Sequence, residues 1–319
     1  MKLADAGRTN LKFATKLARI QAQQTMSNPR DHLHRFLFND SNVRGEIVRL
    51  DNTWQALLEH QDYPPAVREL LGQAAAATAL LAATIRFDGS LILQTRGNGP
   101  LRLLVVECSG RGTLRGLARW NGAVDGLRFD ELIGDGRLVM TIDPGANSDR
   151  YQGIVSVEGN SLAECLQHYF DRSEQLPTRM WLAVDGKSAA GLLIQEMPGN
   201  EPVEDEDTWN RVNMLADTVQ DKELLQLGPH ELLHRLFHEE VVTVFEPQHW
   251  QFECRCSRER VATMLKGLGR LELDSIIADE GLIKVDCEYC SAPYRFDTVD
   301  VEQLFSDALS AAPPPDTRH

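Results

Sequence analysis

Cys254-Arg-Cys256 and Cys287-Glu-Tyr-Cys290 contain four of the six cysteines in this chain of 319 residues, and residues 257–286 separate the two pairs. Two close thiol pairs joined by a long segment are what one tetrahedral Zn²⁺ site requires, because each pair spans one edge of the tetrahedron while the segment folds around the ion. The spacing therefore predicts one Zn²⁺ bound by Cys254, Cys256, Cys287 and Cys290. Structural disulfides and unrelated thiols are the alternatives.

The residues after the first pair predict a helix that begins beside the metal ligands. Ser257 is a suitable N-cap, and the residues after it favour helix. A helix N-terminus together with Arg255, Arg258 and Arg260 is expected to lower the pKa of the thiols and make them easier to oxidise. The other interpretation is a structural zinc site that the helix supports, without a redox role.

Composition indicates a globular chain with room for two domains. The hydrophobic fraction is 42%, and the formal net charge is −14. This charge argues against a general nucleic-acid partner, because binding to phosphates needs a basic face. The longest apolar tract, 74–85, is interrupted by Thr78 and Thr84 and is too short to span a bilayer. We therefore expect neither a nucleic-acid nor a membrane partner.

Residues 1–27 are expected to form a disordered N-terminal extension. They are basic and poor in acids, which is typical of an organelle transit peptide. The favoured alternative is a start at Met26 or a disordered tail, because the folded pattern begins near Asp31. We expect a cytoplasmic protein with reduced thiols, although the basic extension leaves organelle targeting open.

Residues 28–198 are predicted to form an α+β core domain. Turn residues separate helical patterns from short β-rich segments, and the order is not a regular alternation of strand and helix. The helical patterns cover 51–60, 64–85 and 161–170, and the strand patterns cover 43–50, 90–95, 101–107, 113–120, 137–142, 153–158, 180–184 and 189–196. Cys108 and Cys165 lie within apolar patterns, so we expect both to be core residues without a redox role.

Residues 199–250 are predicted to form an acidic, amphipathic helical linker. Pro, Gly and a run of acids over 198–207 mark the domain boundary. Helical patterns follow over 209–227 and 230–244, and their moderate apolar stripe predicts helices that are stable only when docked. Residues 251–305 then form the zinc-binding domain, and 306–319 are expected to be a disordered tail.

His230-Glu-Leu-Leu-His234 matches the H-E-x-x-H pattern, in which two histidines one helical turn apart bind catalytic zinc and the glutamate acts as a base. Pro229 would place His230 in the first helical turn, and no histidine or glycine framework follows to complete the metzincin pattern. A zinc metallohydrolase that uses His230, Glu231 and His234 is therefore kept as an alternative, and we expect no enzymatic activity.

From about residue 30 to 305 the chain resembles the heat shock protein 33 family of redox-regulated chaperones. The order C-x-C, long gap, C-x-x-C is similar to the zinc signature of that family. Arg150-Tyr-Gln-Gly-Ile-Val155 and Tyr169-Phe-Asp-Arg-Ser-Glu-Gln-Leu-Pro-Thr178 resemble its core-domain segments, and His238-Glu-Glu-Val-Val-Thr-Val244 resembles the stretch before its zinc domain. On this resemblance the H-E-x-x-H motif falls inside the interdomain linker.

The resemblance implies an ATP-independent holdase, with a metastable linker and a C-terminal zinc domain that acts as a redox switch. The implied partners are unfolded or partly unfolded client proteins and, on activation, a second copy in a homodimer. We expect the oxidised protein to pair Cys254 with Cys256 and Cys287 with Cys290, because short loops close most readily. Pairing across the long gap is the alternative, and a redox-inert zinc-ribbon interaction module is the remaining functional alternative.

Overall fold

The computed structural model describes residues 31–39, 41–85, 89–145, 149–198, 205 and 207–306. The expected N-terminal extension, residues 199–204 and 206 of the acidic linker entrance, and residues 307–319 of the expected tail lie outside these ranges. Over the described ranges, no helix has both the length and the apolar character needed to cross a membrane.

Mixed sheet and helix structure confirms the predicted α+β class. The strands are β1 (His32–Phe38), β2 (Val43–Leu50), β3 (Ser90–Arg96), β4 (Leu101–Ser109), β5 (Thr113–Trp120), β6 (Arg137–Asp143), β7 (Tyr151–Ser156), β8 (Thr178–Val184), β9 (Ala189–Glu196), β10 (Val242–Val244), β11 (Gln248–His249), β12 (Gln251–Phe252), β13 (Ile283–Asp286) and β14 (Pro293–Phe296). The helices are α1 (Asn52–Leu58), α2 (Pro65–Thr84), α3 (Phe129–Ile133), α4 (Leu162–Tyr169), α5 (Thr208–Ala216), α6 (Asp221–Gln226), α7 (Pro229–Phe237), α8 (Arg258–Leu268), α9 (Arg270–Glu280) and α10 (Thr298–Ser306), and a π-helical turn (Phe170–Glu174) follows α4.

Two six-stranded sheets form the core domain. In the first sheet the order is β10-β1-β2-β9-β8, and β11 also pairs with β1; in the second sheet the order is β12-β5-β4-β3-β6-β7. The long helix α2 contacts strands of both sheets. Its small side chains over 74–82 are all buried, so the alanine-rich tract forms the centre of the core. At Gly72 a Cβ atom would lie 2.6 Å from Cγ1 of Val184, so a larger side chain would push α2 away from the sheet.

The linker forms three short helices where the sequence predicts two longer ones. The helix predicted over 209–227 is interrupted after Ala216, and α6 begins after Gln220, whose N–H donates to the side chain of Glu223 at 3.0 Å. The helix predicted over 230–244 ends at Phe237, because 242–244 form β10 and pair with β1. Val242, Thr243 and Val244 are β-branched, and strand pairing outweighs the weak helical pattern.

The segment after the linker helices connects both sheets. β11 pairs antiparallel with β1 of the first sheet, and β12 pairs parallel with β5 of the second. Between them, Trp250 is 1% exposed and belongs to the main core. Residues 242–252 therefore attach the linker and the C-terminal domain to the core domain through backbone pairing.

The C-terminal domain has a small core of its own. Helices α8 to α10 and the β13–β14 hairpin enclose the buried side chains of Leu265, Leu273, Ile283, Phe296 and Val301. A core of this size supplies little stability, so a domain built on it ordinarily needs a metal or a disulfide in addition.

Candidate metal centre

The cysteines of the two motifs lie together at the start of the C-terminal domain. Their Sγ atoms all lie within 4.8 Å of one another, with 3.6 Å between Cys254 and Cys287 and 3.3 Å between Cys256 and Cys290. Four sulfurs bound at about 2.3 Å to a tetrahedral ion would be about 3.8 Å apart. No other group of three or more His, Cys, Asp or Glu side chains in the described part of the chain is close enough to hold a metal. The four cysteines could therefore hold one metal ion.

Local backbone structure presents the two pairs to each other. Cys254 follows β12 closely, and the Oγ atom of Ser257 accepts a hydrogen bond from the N–H of Arg260 at 3.3 Å, which confirms the predicted N-cap of α8. The second pair lies in the turn between β13 and β14. There the N–H of Ser291 donates to the carbonyl of Cys287 at 2.7 Å, and the φ of Ser291 is 52°, which reverses the chain.

Hydrogen bonding shifts the acidity of the cluster. Burial raises the pKa of Cys256, but hydrogen bonds from Tyr294 and the neighbouring cysteines outweigh burial and lower that pKa to about 7. Burial raises the pKa of Cys254 and of Cys290. Cys256 is therefore substantially ionised near neutral pH, and a thiolate is the form that reacts with oxidants.

The three arginines near the cluster make contacts away from the sulfurs. Arg255 pairs with Glu107 at 3.0 Å, Arg258 pairs with Asp300 at 2.7 Å, and Arg260 donates to the carbonyl of Arg255 at 2.7 Å. The lowered pKa of Cys256 rests on hydrogen bonds, and for Cys254 and Cys290 the expectation of a lowered pKa is wrong because burial raises it. The guanidinium groups of Arg255 and Arg258 instead link the C-terminal domain to the core domain and to itself.

Side chains inside each cysteine pair contact the core domain. Arg255, within the first pair, binds Glu107 on β4. Within the second pair, Glu288 forms an ion pair with Arg119, and the ring centroid of Tyr289 lies 4.4 Å from the guanidinium carbon of Arg115. Arg115 also donates to Glu107 at 2.6 Å. We call these contacts the interdomain clasp; its members are Glu107, Arg115, Arg119, Arg255, Glu288 and Tyr289.

The clasp makes the core domain sensitive to the position of the cysteines. Glu107 is 8% exposed and accepts hydrogen bonds from two guanidinium groups, so moving Arg255 would remove one partner of a buried carboxylate. Glu107, Arg115 and Arg119 are not among the residues predicted from the sequence. No motif marks them, because the contact between Arg255 and Glu107 joins residues 148 positions apart.

Known proteins and a family model match most of the chain. A family model described as Hsp33 protein matches residues 31–297. The chain belongs to the Hsp33 family. The 33 kDa chaperonin of Methylobacillus flagellatus is 51% identical to it over 290 residues, which cover 91% of this chain and 99% of the relative. The 33 kDa chaperonin of Nitrosococcus oceani is 51% identical over 292 residues, which cover 92% of this chain and 100% of the relative.

A solved structure agrees with the Hsp33 assignment. The crystal structure of the 33 kDa chaperonin (heat shock protein 33 homolog) of Thermotoga maritima is 25% identical and superposes with a TM-score of 0.75, over 88% of this chain and 100% of that chain. Membership in the Hsp33 family makes the chain a chaperone rather than an enzyme, and a chaperone binds client proteins.

The other candidate residues of this Hsp33-family chain lie in the linker and in the core, away from the cysteine cluster. His230, Glu231 and His234 lie on linker helix α7, and in the described ranges no further ligand completes a metal site with them. Because the Hsp33 family is a family of chaperones rather than enzymes, the metallohydrolase alternative is wrong. Cys108 and Cys165 are buried, which confirms that they are core residues. Burial raises the pKa of Cys108, and it raises that of Cys165 to about 11, which keeps both thiols protonated.

Proposed function

We propose that this chaperone is a redox-regulated, ATP-independent holdase whose cysteine cluster binds one Zn²⁺ in the reduced state. Oxidation of the cysteines releases the zinc and unfolds the C-terminal domain and the linker. Apolar surface then becomes available to unfolding proteins during oxidative stress. The observation that carries this proposal is an apolar sheet face covered by a marginal linker that leads directly into a cysteine cluster.

Zinc suits the site because all four donors are thiols and the distances between their Sγ atoms are close to those in a tetrahedral zinc site. Bound zinc would hold the two ligand pairs together, a contribution on the order of 10 kcal/mol to the folding of a small domain. The small core of the C-terminal domain cannot replace that contribution. Loss of the zinc ion would therefore unfold this domain.

The surface that the linker covers is broad and apolar. On the outer face of the first sheet it includes Phe36, Phe38, Ile47, Leu192 and Ile194. The linker covers this face with the buried side chains of Val212, Ala216, Leu224, Leu225, Leu232, Leu233, Leu236 and Phe237. Exposed apolar surface of this extent is suited to binding the apolar segments of unfolded proteins.

The linker depends on docking for its structure. Helices α5, α6 and α7 have 9, 6 and 9 residues, which is too short for a helix to be stable alone in water. Its ion pairs, such as Arg235 with Glu223 at 2.8 Å, lie at the surface and are partly exposed to solvent, so each contributes about 1 kcal/mol or less. Loss of the clasp and of the zinc domain would remove neighbouring support, so the linker would undock.

The opened protein has properties that suit a holdase. Its net charge of −14 would keep it soluble while apolar surface is exposed. We place the active form in the cytoplasm as a homodimer that binds unfolded or partly unfolded clients.

The decisive experiment measures aggregation of a chemically unfolded client by light scattering. The reduced, zinc-loaded protein should leave aggregation nearly unchanged, and the same sample treated with hydrogen peroxide should suppress it, with release of one zinc per chain. A redox-inert zinc-ribbon module would give the same low activity before and after peroxide. Such a result would contradict the proposal.

Oxidation is expected to produce disulfides between near neighbours, Cys254 with Cys256 and Cys287 with Cys290. Each disulfide forms as two thiols give two electrons and two protons to hydrogen peroxide, which is reduced to two molecules of water. In the folded cluster the sulfurs also approach across the pairs, at 3.6 Å for Cys254 with Cys287 and 3.3 Å for Cys256 with Cys290. Once the domain unfolds, the shortest loops close most readily.

Peptide mapping of the fully oxidised protein separates these routes. Near-neighbour disulfides, with Cys108 and Cys165 still free, would support oxidation that completes after unfolding. Mainly Cys254 with Cys287 and Cys256 with Cys290 would mean that the disulfides form inside the assembled cluster, and our pairing would be wrong.

A further inference from the structure

Four histidines meet where the linker docks on the core domain. His32 and His34 lie on β1, His230 lies in the first turn of linker helix α7, and His249 lies on β11. The ring centroids of His34 and His230 are 6.2 Å apart, those of His32 and His34 are 6.4 Å apart, and those of His32 and His249 are 5.1 Å apart. We call these four residues the histidine cluster.

His34 is the buried member of the cluster. It is 8% exposed, and its Nδ1 atom is buried without a hydrogen-bond partner in the described part of the chain. Burial, together with the smaller effects of the facing His230 and His32, lowers the pKa of His34 from its usual 6.5 to about 4. The docked state therefore favours the neutral form of His34.

The charged groups around the cluster do not offset a positive charge on His34. On the neighbouring strand β2, Arg49 lies opposite His32 and forms an ion pair with Asp51 at 2.9 Å. Asp31 accepts hydrogen bonds from the backbone N–H groups of Asp51, Asn52 and Thr53. Glu46 on β2 is buried, but it lies opposite Arg35, on the other face of the sheet from His34, and its burial raises its pKa. Glu231 on α7 and Glu246 between β10 and β11 are exposed to solvent.

We propose that protonation of the histidine cluster releases the linker from the sheet, so that the protein holds unfolding clients in mildly acidic medium with its cysteines reduced and metal-loaded. This inference rests on the proposed holdase function, because it assigns a second trigger to the same linker. His34 lies on the face of β1 that carries Phe36, beneath α7, so undocking α7 would return its ring to water.

The direction of the pH effect follows from the two states of His34. Its pKa is lower in the docked state than in the undocked state, so docking is most favourable above about pH 6.5 and weakens as the pH falls from 6.5 towards 4. Between pH 7.5 and 5.5 this linkage shifts the equilibrium towards the undocked linker by about tenfold.

The test compares the full-length, reduced, zinc-loaded protein at pH 7.5 and 5.5. Three quantities are measured on each sample: cleavage within 208–245 by a protease active at both pH values, zinc retained on the protein, and suppression of client aggregation against a client-only baseline at the same pH. We expect cleavage to rise by about tenfold at pH 5.5 and client aggregation to be suppressed, while zinc remains bound.

His34→Phe removes the proton-binding group and keeps a ring of similar size, so cleavage and client holding should then change less than twofold with pH. The exposed residue His230 offers a second variant that should fold normally. His230→Gln removes the facing imidazole, brings the pKa of His34 closer to 6.5 and should reduce the acid response. The matched control is His238→Gln at the exposed end of α7, which should respond like the unmodified protein.

Three outcomes would overturn the inference: no opening at pH 5.5, equal opening with and without His34, or opening that occurs only as zinc is lost. Peroxide activation at pH 7.5 tests the holdase function separately. If peroxide activates the protein and acid does not, the histidine inference fails and the proposed function stands. If acid opens the linker but neither trigger suppresses aggregation, the proposed function fails.

Discussion

Replacing Leu232 and Leu236 together with asparagine is expected to make the reduced, zinc-loaded protein hold clients without oxidation. The two side chains are 1% and 2% exposed and pack between α7 and the first sheet. Loss of one buried leucine side chain costs about 3 kcal/mol, and burying an amide without partners adds to that cost. Short linker helices cannot offset such a loss, so the linker should undock. Protease cleavage within 208–245 and client aggregation should be measured on the same sample.

The matched control changes two exposed linker residues, Met214 and Val241, to asparagine. They are 68% and 67% exposed, so neither docking nor client holding should change. If the leucine variant becomes protease-sensitive but does not suppress aggregation even after oxidation, the linker does not act as a gate. Leu232 and Leu236 would then bind clients directly.

Changing Cys287 to serine is expected to lower the affinity for zinc sharply and to destabilise residues 251–305. A serine hydroxyl does not ionise near neutral pH and is a poor zinc ligand, so the domain loses much of a contribution that is on the order of 10 kcal/mol. The clasp should open as well, because Glu288 and Tyr289 lie within the same ligand pair. The metal-to-protein ratio and the chemical shifts of the C-terminal domain measure the loss, while the core domain should stay folded.

Cys165→Ser is the matched control for this exchange of sulfur for oxygen. Cys165 is 1% exposed and far from the cluster in sequence, so the variant should keep its zinc and lose only core stability. Full zinc occupancy in a variant that lacks both Cys254 and Cys256 would refute the assignment of the ligands.

The helical predictions show how far local patterns reach. The long helix α2 follows from its sequence, because Pro65 starts it and a run composed mostly of Ala, Leu and other helix formers continues it past Gly72. The structure at the end of the linker cannot be predicted from its local sequence in the same way. Residues 230–244 have a helical pattern, yet 242–244 form a strand because the edge of β1 offers them backbone partners. The decisive pairing, Phe36 with Val244, joins positions more than 200 residues apart.

The cysteine cluster and the marginal character of the linker can be predicted from the amino-acid sequence. Both depend on local features: the spacing of thiols within each pair, and an apolar stripe too weak to support free helices. Three features depend instead on the three-dimensional fold: the sheet face that the linker covers, the contacts of Arg115 and Glu107 with the ligand pairs, and the approach of His230 to His34 between the linker and the first sheet. These contacts join segments that are distant in sequence, and the folding of both sheets around α2 brings them together.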